Sequence, residues 1–378
     1  MKKRILLLGI ATICSAMLMQ CTPSKEKPTT LKDALAGKFY IGTALNARQT
    51  PSADSAENAL IISQFDAIVA ENCMKSALIQ PEQGVFKFED ADRFVKFGED
   101  NKMWITGHTL IWHSQAPRWL FVDAEGNDVS RDTLISRLKT HIETLVGRYK
   151  GRVKGWDVVN EAIEDNGDFR KSKFYQIIGE EYIEMAFRFA HEADPDCELY
   201  YNDYNMAFPG RREAVVKMVK ALQEKGVKID AIGMQGHLNI DVPDINEFEK
   251  SIVAFSELGV KVMITEMDIT VLPWPSQQVS ADISTNFELQ AEYNPFPDGL
   301  TPEMSEKLNN RFVDFFTLFI KHSDKISRVT LWGVHDNQTW RNNWPVRGRK
   351  DYPLLFDREL QPKPAVAKII EAALVVQK

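Results

Sequence analysis

Two glutamates close apolar, strand-like runs of this chain: Glu161 in the segment WDVVNEA and Glu266 in the segment VMITEMDI. Two carboxylates that share a cleft are able to split a glycosidic bond. One donates a proton to the departing sugar oxygen, while the other attacks or shields the anomeric carbon. A single glutamate at a loop edge is usually an ordinary solvated carboxylate, so the context of these two residues decides between the interpretations.

The elements around the two glutamates alternate between short strand-like runs and longer helix-like segments. Predicted strands cover residues 39–45, 65–70, 103–110, 153–159, 198–203, 231–238, 261–268 and 328–335, and predicted helices cover 91–101, 131–149, 174–193, 211–225, 245–258 and 303–322. Such alternation indicates parallel strands joined by helical crossovers. Eight units predict an α/β protein with a closed (β/α)8 TIM barrel, in one catalytic domain over residues 37–378. An open doubly wound sheet is the alternative, but the Gly-rich nucleotide loops common in such sheets are absent from the sequence.

Unusual polar and aromatic residues fall at the carboxyl ends of the predicted strands. Besides the two glutamates, these positions hold His108, Trp112, Asn202, Asp203, Gln235, His237 and Trp332. In a barrel, the carboxyl ends of the strands meet at one rim, which carries the active site. A lone histidine or tryptophan is often a core residue, so the clustering is the argument for a cleft. The long segment 271–301, rich in Pro, Ser, Asn and Asp, is expected to shape one end of that cleft.

Six motifs in order resemble glycoside hydrolase family 10, the endo-1,4-beta-xylanases, from about Phe39 to the C-terminus. They are AENCMKS (residues 70–76), TGHTLIWHSQAPRW (106–119), WDVVNEA (156–162), YNDYN (201–205), GMQGHL (233–238) and ITEMDI (264–269). The resemblance implies a retaining enzyme that hydrolyses internal β-1,4 bonds of xylan by double displacement.

The catalytic roles that this resemblance implies agree with the chemistry of the two carboxylates. Glu161 would be the general acid and then the general base, and Glu266 the nucleophile of a glycosyl-enzyme intermediate. Glu161 must hold a proton while Glu266 stays ionised, so their environments have to differ. His237 and Asp268 match the pair that, in the family, hydrogen-bonds around the nucleophile and keeps it charged.

The resemblance also implies a set of sugar-binding residues. They are Asn72, Lys75 and His108 toward the non-reducing side, Trp112, Asn160 at the sugar 2-hydroxyl, Gln235 beside the reacting ring, and Trp332 and Trp340 over that ring. The two tryptophans leave no room for a hydroxymethyl group, which would select xylose over glucose by steric exclusion. Ser76 departs from the family, in which a tryptophan is common at this position.

The N-terminus differs in composition from the rest of the chain. Three basic residues precede an uncharged apolar stretch (residues 5–19), and Cys21 follows in a lipobox-like context. This arrangement is typical of a bacterial lipoprotein signal. We predict a signal peptide over residues 1–20, acylation of Cys21, and a lipid-anchored flexible tether over residues 21–36. A xylan polymer is too large for outer-membrane pores, so we expect an outer-membrane anchor that faces the cell surface rather than the periplasm.

Charge and cysteine usage restrict the partners. The formal net charge is −7, and loss of the basic signal makes it more negative, which argues against nucleic acid as a partner. Cys73 and Cys197 would be left to pair, and we expect two buried thiols. No Cys or His spacing typical of a zinc site occurs, so no metal and no cofactor is predicted. The expected partners are xylan and xylo-oligosaccharides, and the expected state is a monomer.

Three alternative functions remain open at the level of sequence. A related retaining barrel hydrolase would act on β-glucan or mannan, and such enzymes share the Asn-Glu dipeptide but not the GHTLIWHSQAPRW run. A non-catalytic glycan-binding lipoprotein would have kept the fold and lost the chemistry, yet both glutamates stand in intact motifs. A metal-dependent hydrolase would use His108, His113, His237 and His335, without the paired ligand spacing that such sites normally show.

Overall fold

The structure, a computed structural model, describes residues 28–50, 55–275 and 286–375 of the 378-residue chain. Its strands are β1 Tyr40–Leu45, β2 Ala67–Ala70, β3 Trp104–Trp112, β4 Gly155–Asn160, β5 Glu198–Asp203, β6 Ala231–Met234, β7 His237–Asn239, β8 Lys261–Thr270 and β9 Ile326–Leu331. Strands β1 to β5 and β8 begin and end within two residues of the predicted boundaries. Strand β9 ends four residues before its predicted end, and β6 and β7 divide one predicted strand.

Parallel pairing closes the sheet into a barrel. The strand order is β6-β5-β4-β3-β2-β1-β9-β8, and β8 also pairs with β6, so the sheet returns on itself through eight strands. Strand β7 adds to the carboxyl end of β8, with His237 opposite Asp268. The predicted (β/α)8 barrel is confirmed, and the carboxyl ends of its strands share one rim.

Helices cover the outside of the barrel. They are α1 Leu31–Leu35, α2 Ala56–Gln64, α3 Ser76–Ile79, α4 Glu89–Asp100, α5 Arg131–Arg148, α6 Lys173–Ile178, α7 Glu181–Ala193, α8 Pro209–Glu224, α9 Ile245–Ser256, α10 Pro302–Lys321 and α11 Pro364–Val375. The start of α10 shows why they begin where they do. The Thr301 side chain accepts a hydrogen bond from the Met304 backbone N–H, and Pro302 occupies a first-turn position that needs no donor. The predicted apolar stripe of this helix, from Leu308 to Phe319, is buried against the barrel.

Two predicted elements are divided in the structure. The single strand predicted over 231–238 is wrong: β6 and β7 flank Gln235 and Gly236, and Gly236 adopts a left-handed φ of 78° that interrupts the extended backbone. The single helix predicted over 174–193 is also wrong, because Gly179, with φ 93°, ends α6 before α7 begins. The strand predicted over 328–335 ends early at Leu331.

The tether predicted over 21–36 is wrong for its last part. Leu31, Ala34 and Leu35 form an apolar i, i+3, i+4 face on α1 and are fully buried in the core. The predicted signal peptide and Cys21 lie outside the described residues. Cys73 and Cys197 are buried free thiols, as predicted. Within the described ranges, no helix is long and apolar enough to span a bilayer.

Candidate active site

A cavity of about 580 Å³ opens at the carboxyl-terminal rim of the barrel. The predicted site residues that line it are Asn72, Lys75, His108, Trp112, Asn160, Glu161, Gln235, His237, Glu266, Trp332 and Trp340. Asp268 lies directly behind His237, within hydrogen-bond distance. The barrel thus brings together residues from seven separate motifs and loops, because the carboxyl ends of its strands meet at one rim.

Glu266 lies in the middle of β8 with 5% of its surface exposed. Its Oε1 accepts a hydrogen bond from Asn202 Nδ2 at 2.8 Å, and its Oε2 lies 3.1 Å from His237 Nε2. Burial by itself would raise the pKa of this carboxyl. The His237 hydrogen bond and the nearby positive charges outweigh burial and lower the pKa below its ordinary value. Glu266 is therefore an anion at neutral pH.

The charge on His237 comes from a carboxylate behind it. Asp268 Oδ1 lies 3.0 Å from His237 Nδ1 and also accepts from Arg341 Nε at 2.9 Å and Nη2 at 2.7 Å. Trp340 Nε1 donates to Asp268 Oδ2 at 2.8 Å. Against the cost of burial, Arg341 and His237 lower the Asp268 pKa to about 2, and Asp268 in turn raises the His237 pKa to about 9. His237 is consequently a cation that faces Glu266.

Glu161 directly follows β4. The hydrogen-bond donors nearest to its carboxyl oxygens are neutral groups. Trp112 Nε1 donates to Oε2 at 2.8 Å, and Gln235 Nε2 donates to Oε1 at 3.0 Å. Burial disfavours the anion, and the charge of Glu266 adds to that effect, so the pKa of Glu161 is raised despite these hydrogen bonds. The two glutamates of one cavity are therefore pushed in opposite directions, as the two-carboxylate chemistry requires.

An amide network links the two carboxyl groups. Asn202 Nδ2 donates to Asn160 Oδ1 at 2.9 Å as well as to Glu266, and Asn202 Oδ1 accepts from Thr265 Oγ1 at 2.6 Å. Gln235 Nε2 lies within hydrogen-bond distance of both Asn160 and Glu161. These contacts fix the orientation of every amide in the group, so the polar wall is preorganised before a ligand enters.

One end of the cavity carries the polar residues predicted for the non-reducing side. Lys75 Nζ donates to Asn72 Oδ1 at 3.1 Å and lies 4.9 Å from the ring centroid of Trp112. His108 Nδ1 is held at 2.9 Å from Asp157 Oδ2. Burial lowers the pKa of Lys75, although the acidic groups of the cavity counteract it. Because Asn72 holds Lys75 Nζ in place, this end offers a fixed hydrogen-bond donor to hydroxyl groups.

Tryptophan rings form the opposing wall. Trp332 is buried against Ala44 and Val69, and its ring lies edge-on to His108 with centroids 5.3 Å apart. Trp340 stacks on Trp344, with ring centroids 5.1 Å apart. Both predicted tryptophans thus combine core packing with exposure to the cavity, which the sequence left as alternatives. Trp274 and Leu272 also line the cavity, so the start of segment 271–301 shapes the cleft as expected, whereas residues 276–285 lie outside the described ranges.

Several residues that hold the site together were not assigned by sequence reasoning. Asn202 was noted only for its position at a strand end, although it bridges Asn160 and Glu266. Arg341, which pairs with Asp268, lies in the short 3₁₀ turn Trp340–Asn342 and follows no periodic pattern. Asp157, which holds His108, was also not assigned. The parallel pairing of β3 with β4 sets Asp157 opposite His108, so a predicted strand register could have identified Asp157.

The four histidines proposed as metal ligands do not form a group. His237 is paired with two carboxylates and His108 with Asp157. His113 lies 3.8 Å from Glu161, and His335 lies 3.2 Å from Glu57. Over residues 28–50, 55–275 and 286–375, no group of three or more His, Cys, Asp or Glu side chains is arranged to hold a metal ion.

A closed (β/α)8 barrel with two buried carboxylates of opposite pKa shift in one cleft defines a glycoside hydrolase of the two-carboxylate type. The family model of glycosyl hydrolase family 10 matches residues 30–372, and the chain belongs to that family.

Individual relatives are consistent with this family assignment. The chain is 48% identical over 355 residues to endo-1,4-beta-xylanase A of Xylanibacter ruminicola, which covers 94% of this chain and 96% of the relative. A GH10 endoxylanase retrieved from a sugarcane soil metagenome superposes with a TM-score of 0.86 at 46% identity, covering 90% of this chain and 99% of the other. A mutant structure in complex with xylotriose superposes with a TM-score of 0.81 at 35% identity, covering 91% of this chain and 100% of the other.

Proposed function

We propose that this protein is a retaining endo-1,4-β-xylanase that hydrolyses internal β-1,4 xylosidic bonds of xylan. The observation that carries the proposal is the opposite pKa shift of Glu161 and Glu266 within one cavity. Membership of glycosyl hydrolase family 10 and the names of the relatives support xylan and xylo-oligosaccharides as substrates.

In the first step, the ionised Glu266 attacks the anomeric carbon and forms a covalent ester with the sugar. The glycosidic C–O bond breaks at the same time, and its electron pair goes to the leaving oxygen. Glu161, protonated because its pKa is raised, gives its proton to that oxygen. His237 stabilises Glu266 as an anion before the attack.

In the second step, Glu161 acts as the base. It takes a proton from a water molecule that attacks the anomeric carbon, the ester bond to Glu266 breaks, and both carboxyl groups return to their starting protonation states. Two displacements at the same carbon retain its configuration.

The walls of the cavity suit a xylose unit. Asn160, held by Asn202, is positioned for the sugar 2-hydroxyl, a contact that strengthens as the ring flattens. Trp332 and Trp340 supply apolar faces for the pyranose ring and crowd the position of a hydroxymethyl group. Asn72, Lys75 and His108 bind sugars on the non-reducing side, so a polymer lies across the rim.

The roles of the two glutamates are tested by paired variants. Glu266→Ala should abolish release of products from unbranched xylan, with an unchanged circular dichroism spectrum. Glu161→Ala should reduce kcat/KM on xylan far more than on an activated aryl xyloside, because the activated leaving group needs little protonation. Hydrolysis by Glu266→Ala, or equal losses of Glu161→Ala on both substrates, would contradict these roles.

The substrate class is tested by product analysis on unbranched xylan, glucomannan and cellulose in parallel. A xylanase releases xylo-oligosaccharides from the first and little from the other two. Comparable release from glucomannan or cellulose would favour the related barrel hydrolases that act on mannan or β-glucan.

We further propose that the protein is an exported, monomeric lipoprotein attached through Cys21 to the outer membrane, on the cell surface. The basic and apolar start followed by Cys21 supports the anchor. Cys21→Ser should move the protein from the membrane fraction to the soluble fraction of cells. Unchanged fractionation would contradict the anchor, and protection of the wild type from protease added to intact cells would contradict the surface location.

A further inference from the structure

The backbone of Glu161 has an unusual conformation. Its φ is 58°, in the left-handed region that non-glycine residues rarely adopt. The Glu161 N–H donates to the carbonyl of Asn202 on β5 at 2.9 Å, and the Glu161 carbonyl accepts from Arg170 Nε at 2.9 Å. A strained residue at an active site persists because its surroundings hold it in place. These two contacts hold the peptide groups that precede and follow the Glu161 Cα.

Arg170 lies at the end of the loop that follows Glu161. Its own N–H donates to the carbonyl of Ala162 at 2.8 Å, which brings the side chain back under the glutamate. Its Nη2 donates to the hydroxyl of Tyr204 at 2.9 Å, and its Nη1 lies 3.1 Å from Glu164 Oε1. A planar guanidinium can hold several acceptors at fixed angles, which a lysine cannot. Arg170 therefore joins the backbone of Glu161 to Tyr204, which itself lines the cavity.

Side chains from β5 hold the next two residues of the same loop. The Ala162 N–H donates to the Tyr201 hydroxyl at 3.2 Å, and the Ile163 N–H donates to Asp203 Oδ2 at 3.4 Å. Asp203 is fixed by an ion pair with Arg211, and both of these side chains are fully buried. The loop is thus anchored to the barrel just beyond Glu161, and Arg170 supplies the contact to the carbonyl of Glu161 itself.

We infer that Arg170 is a positioning residue for the proton donor: its hydrogen bond to the Glu161 carbonyl maintains the left-handed backbone that directs the carboxyl group into the cavity. This inference rests on the proposed function, in which Glu161 protonates the leaving oxygen. It extends that function by assigning a residue that touches neither the sugar nor the reacting atoms.

A positioning role for the acid has a specific kinetic consequence. Misplacement of Glu161 slows bond cleavage only where the leaving group needs a proton. Substrates with poor leaving groups, such as xylo-oligosaccharides, should therefore suffer, whereas a 2,4-dinitrophenyl β-xylobioside should not. The value of kcat/KM reports only the steps up to the first irreversible bond cleavage. A comparison of kcat/KM on the two substrates therefore measures the role of Glu161 as an acid and not its later role as a base.

The experiment compares the wild type with Arg170→Met and Arg170→Lys. Arg170→Met should lose roughly 10- to 100-fold in kcat/KM on xylotetraose and less than about twofold on the dinitrophenyl substrate, as expected for a catalytic group displaced by about an ångström. Arg170→Lys can offer one donor to the carbonyl and should recover part of the loss. The matched control is Glu164→Gln, which removes the outer ion pair of Arg170 and should leave the ratio of the two kcat/KM values unchanged.

The pH profile supplies a second readout that a purely structural defect would not move in this direction. The charged and titratable groups that face Glu161 are Glu266, Lys75, His113, Asp203 and Arg170 itself. Loss of the Arg170 charge removes an influence that lowers the Glu161 pKa. The alkaline limb of the kcat/KM profile should therefore move to higher pH in Arg170→Met and stay in place in Arg170→Lys.

The outcomes separate this inference from the proposed function. Equal losses on both substrates, or no loss on xylotetraose, in a folded Arg170 variant would overturn the positioning role. If Arg170→Met does not fold, the same comparison on Arg170→Lys decides, since it also loses the fixed guanidinium geometry. A wild type that fails to cleave xylotetraose would instead overturn the proposed function.

Discussion

Replacement of His237 by glutamine tests how the structure keeps the nucleophile ionised. Gln can still donate a hydrogen bond to Glu266 but carries no charge. In the wild type, the His237 contact of 3.1 Å helps to hold the Glu266 pKa below its ordinary value against the effect of burial. A hydrogen bond to a charged group is worth about 1.5–3 kcal/mol. A hydrogen bond from a neutral donor is worth about 0.5–1.5 kcal/mol, so exchange of the charged donor for a neutral one loses roughly 1–1.5 kcal/mol. At about 1.4 kcal/mol per pKa unit, the exchange should raise the Glu266 pKa by roughly 1 unit.

The assay is the pH dependence of kcat/KM on an aryl β-xylobioside. The acidic limb reports ionisation of the nucleophile in the free enzyme, so it should move upward by roughly 1 pH unit in His237→Gln. His322→Gln is a matched control, because His322 also pairs with a carboxylate, Glu249 at 2.6 Å, but lies on the outer helices. An acidic limb that stays in place in folded His237→Gln would refute the assignment of His237 as the group that keeps Glu266 charged.

The same variant should change the pH dependence of stability. The pKa of His237 is raised from 6.5 to about 9 in the folded protein. A raised pKa contributes stability that is fully present below the unfolded value and is lost as pH rises through the folded value. At about 1.4 kcal/mol per unit, this amounts to roughly 3 kcal/mol lost between pH 6.5 and 9. Thermal unfolding of the wild type should show this decline, and His237→Gln should lack it; identical slopes would contradict the charged state of His237.

Other changes test packing and the cavity wall. Gly155→Ala should destabilise the protein by about 1–3 kcal/mol or more, because a Cβ there would lie 2.0 Å from a buried tyrosine hydroxyl. Gly147→Ala has open space at the Cβ and should stabilise the protein by about 0.5–1 kcal/mol. Chemical denaturation measures both free energies of unfolding. Trp340→Phe removes the 2.8 Å hydrogen bond to Asp268 that fixes the orientation of a ring lining the cavity, so it should raise KM for xylotriose. An unchanged KM would contradict the role of this contact. Lys75→Met should raise KM about tenfold or more with a smaller effect on kcat, and calorimetric titration of an inactive Glu266 variant with xylo-oligosaccharide checks that the loss is in binding.

The sequence predicted the barrel well because its strands are buried and regular. Parallel barrel strands are apolar runs bounded by polar ends, and this pattern survives without knowledge of the tertiary structure. Predictions failed where a single glycine set the backbone. Gly236 divides β6 from β7 and Gly179 divides α6 from α7, although the apolar pattern continues across both positions. Periodicity reports which face is buried and not which φ a residue adopts.

The candidate site was predictable where its residues follow strands and not where they come from irregular loops. Glu161 and Gln235 directly follow β4 and β6, and Glu266 lies on β8 four residues before its end, so the strand pattern was sufficient to locate them. Arg341 reaches Asp268 from a 3₁₀ turn, and Arg170 reaches the Glu161 carbonyl from a loop. Their partners depend on tertiary contacts that no local pattern encodes.

The division of labour between the two glutamates follows from the kind of donor that each one faces. Glu266 faces an imidazole whose charge is maintained by Asp268, and Asp268 is in turn compensated by Arg341. Glu161 faces an indole and an amide, which donate hydrogen bonds without charge. Because these donors are held by the barrel and its adjoining loops, one carboxyl group is stabilised as an anion and the other as an acid before any sugar binds. The chemical identity of the two side chains is the same, and the asymmetry needed for double displacement is supplied by their surroundings.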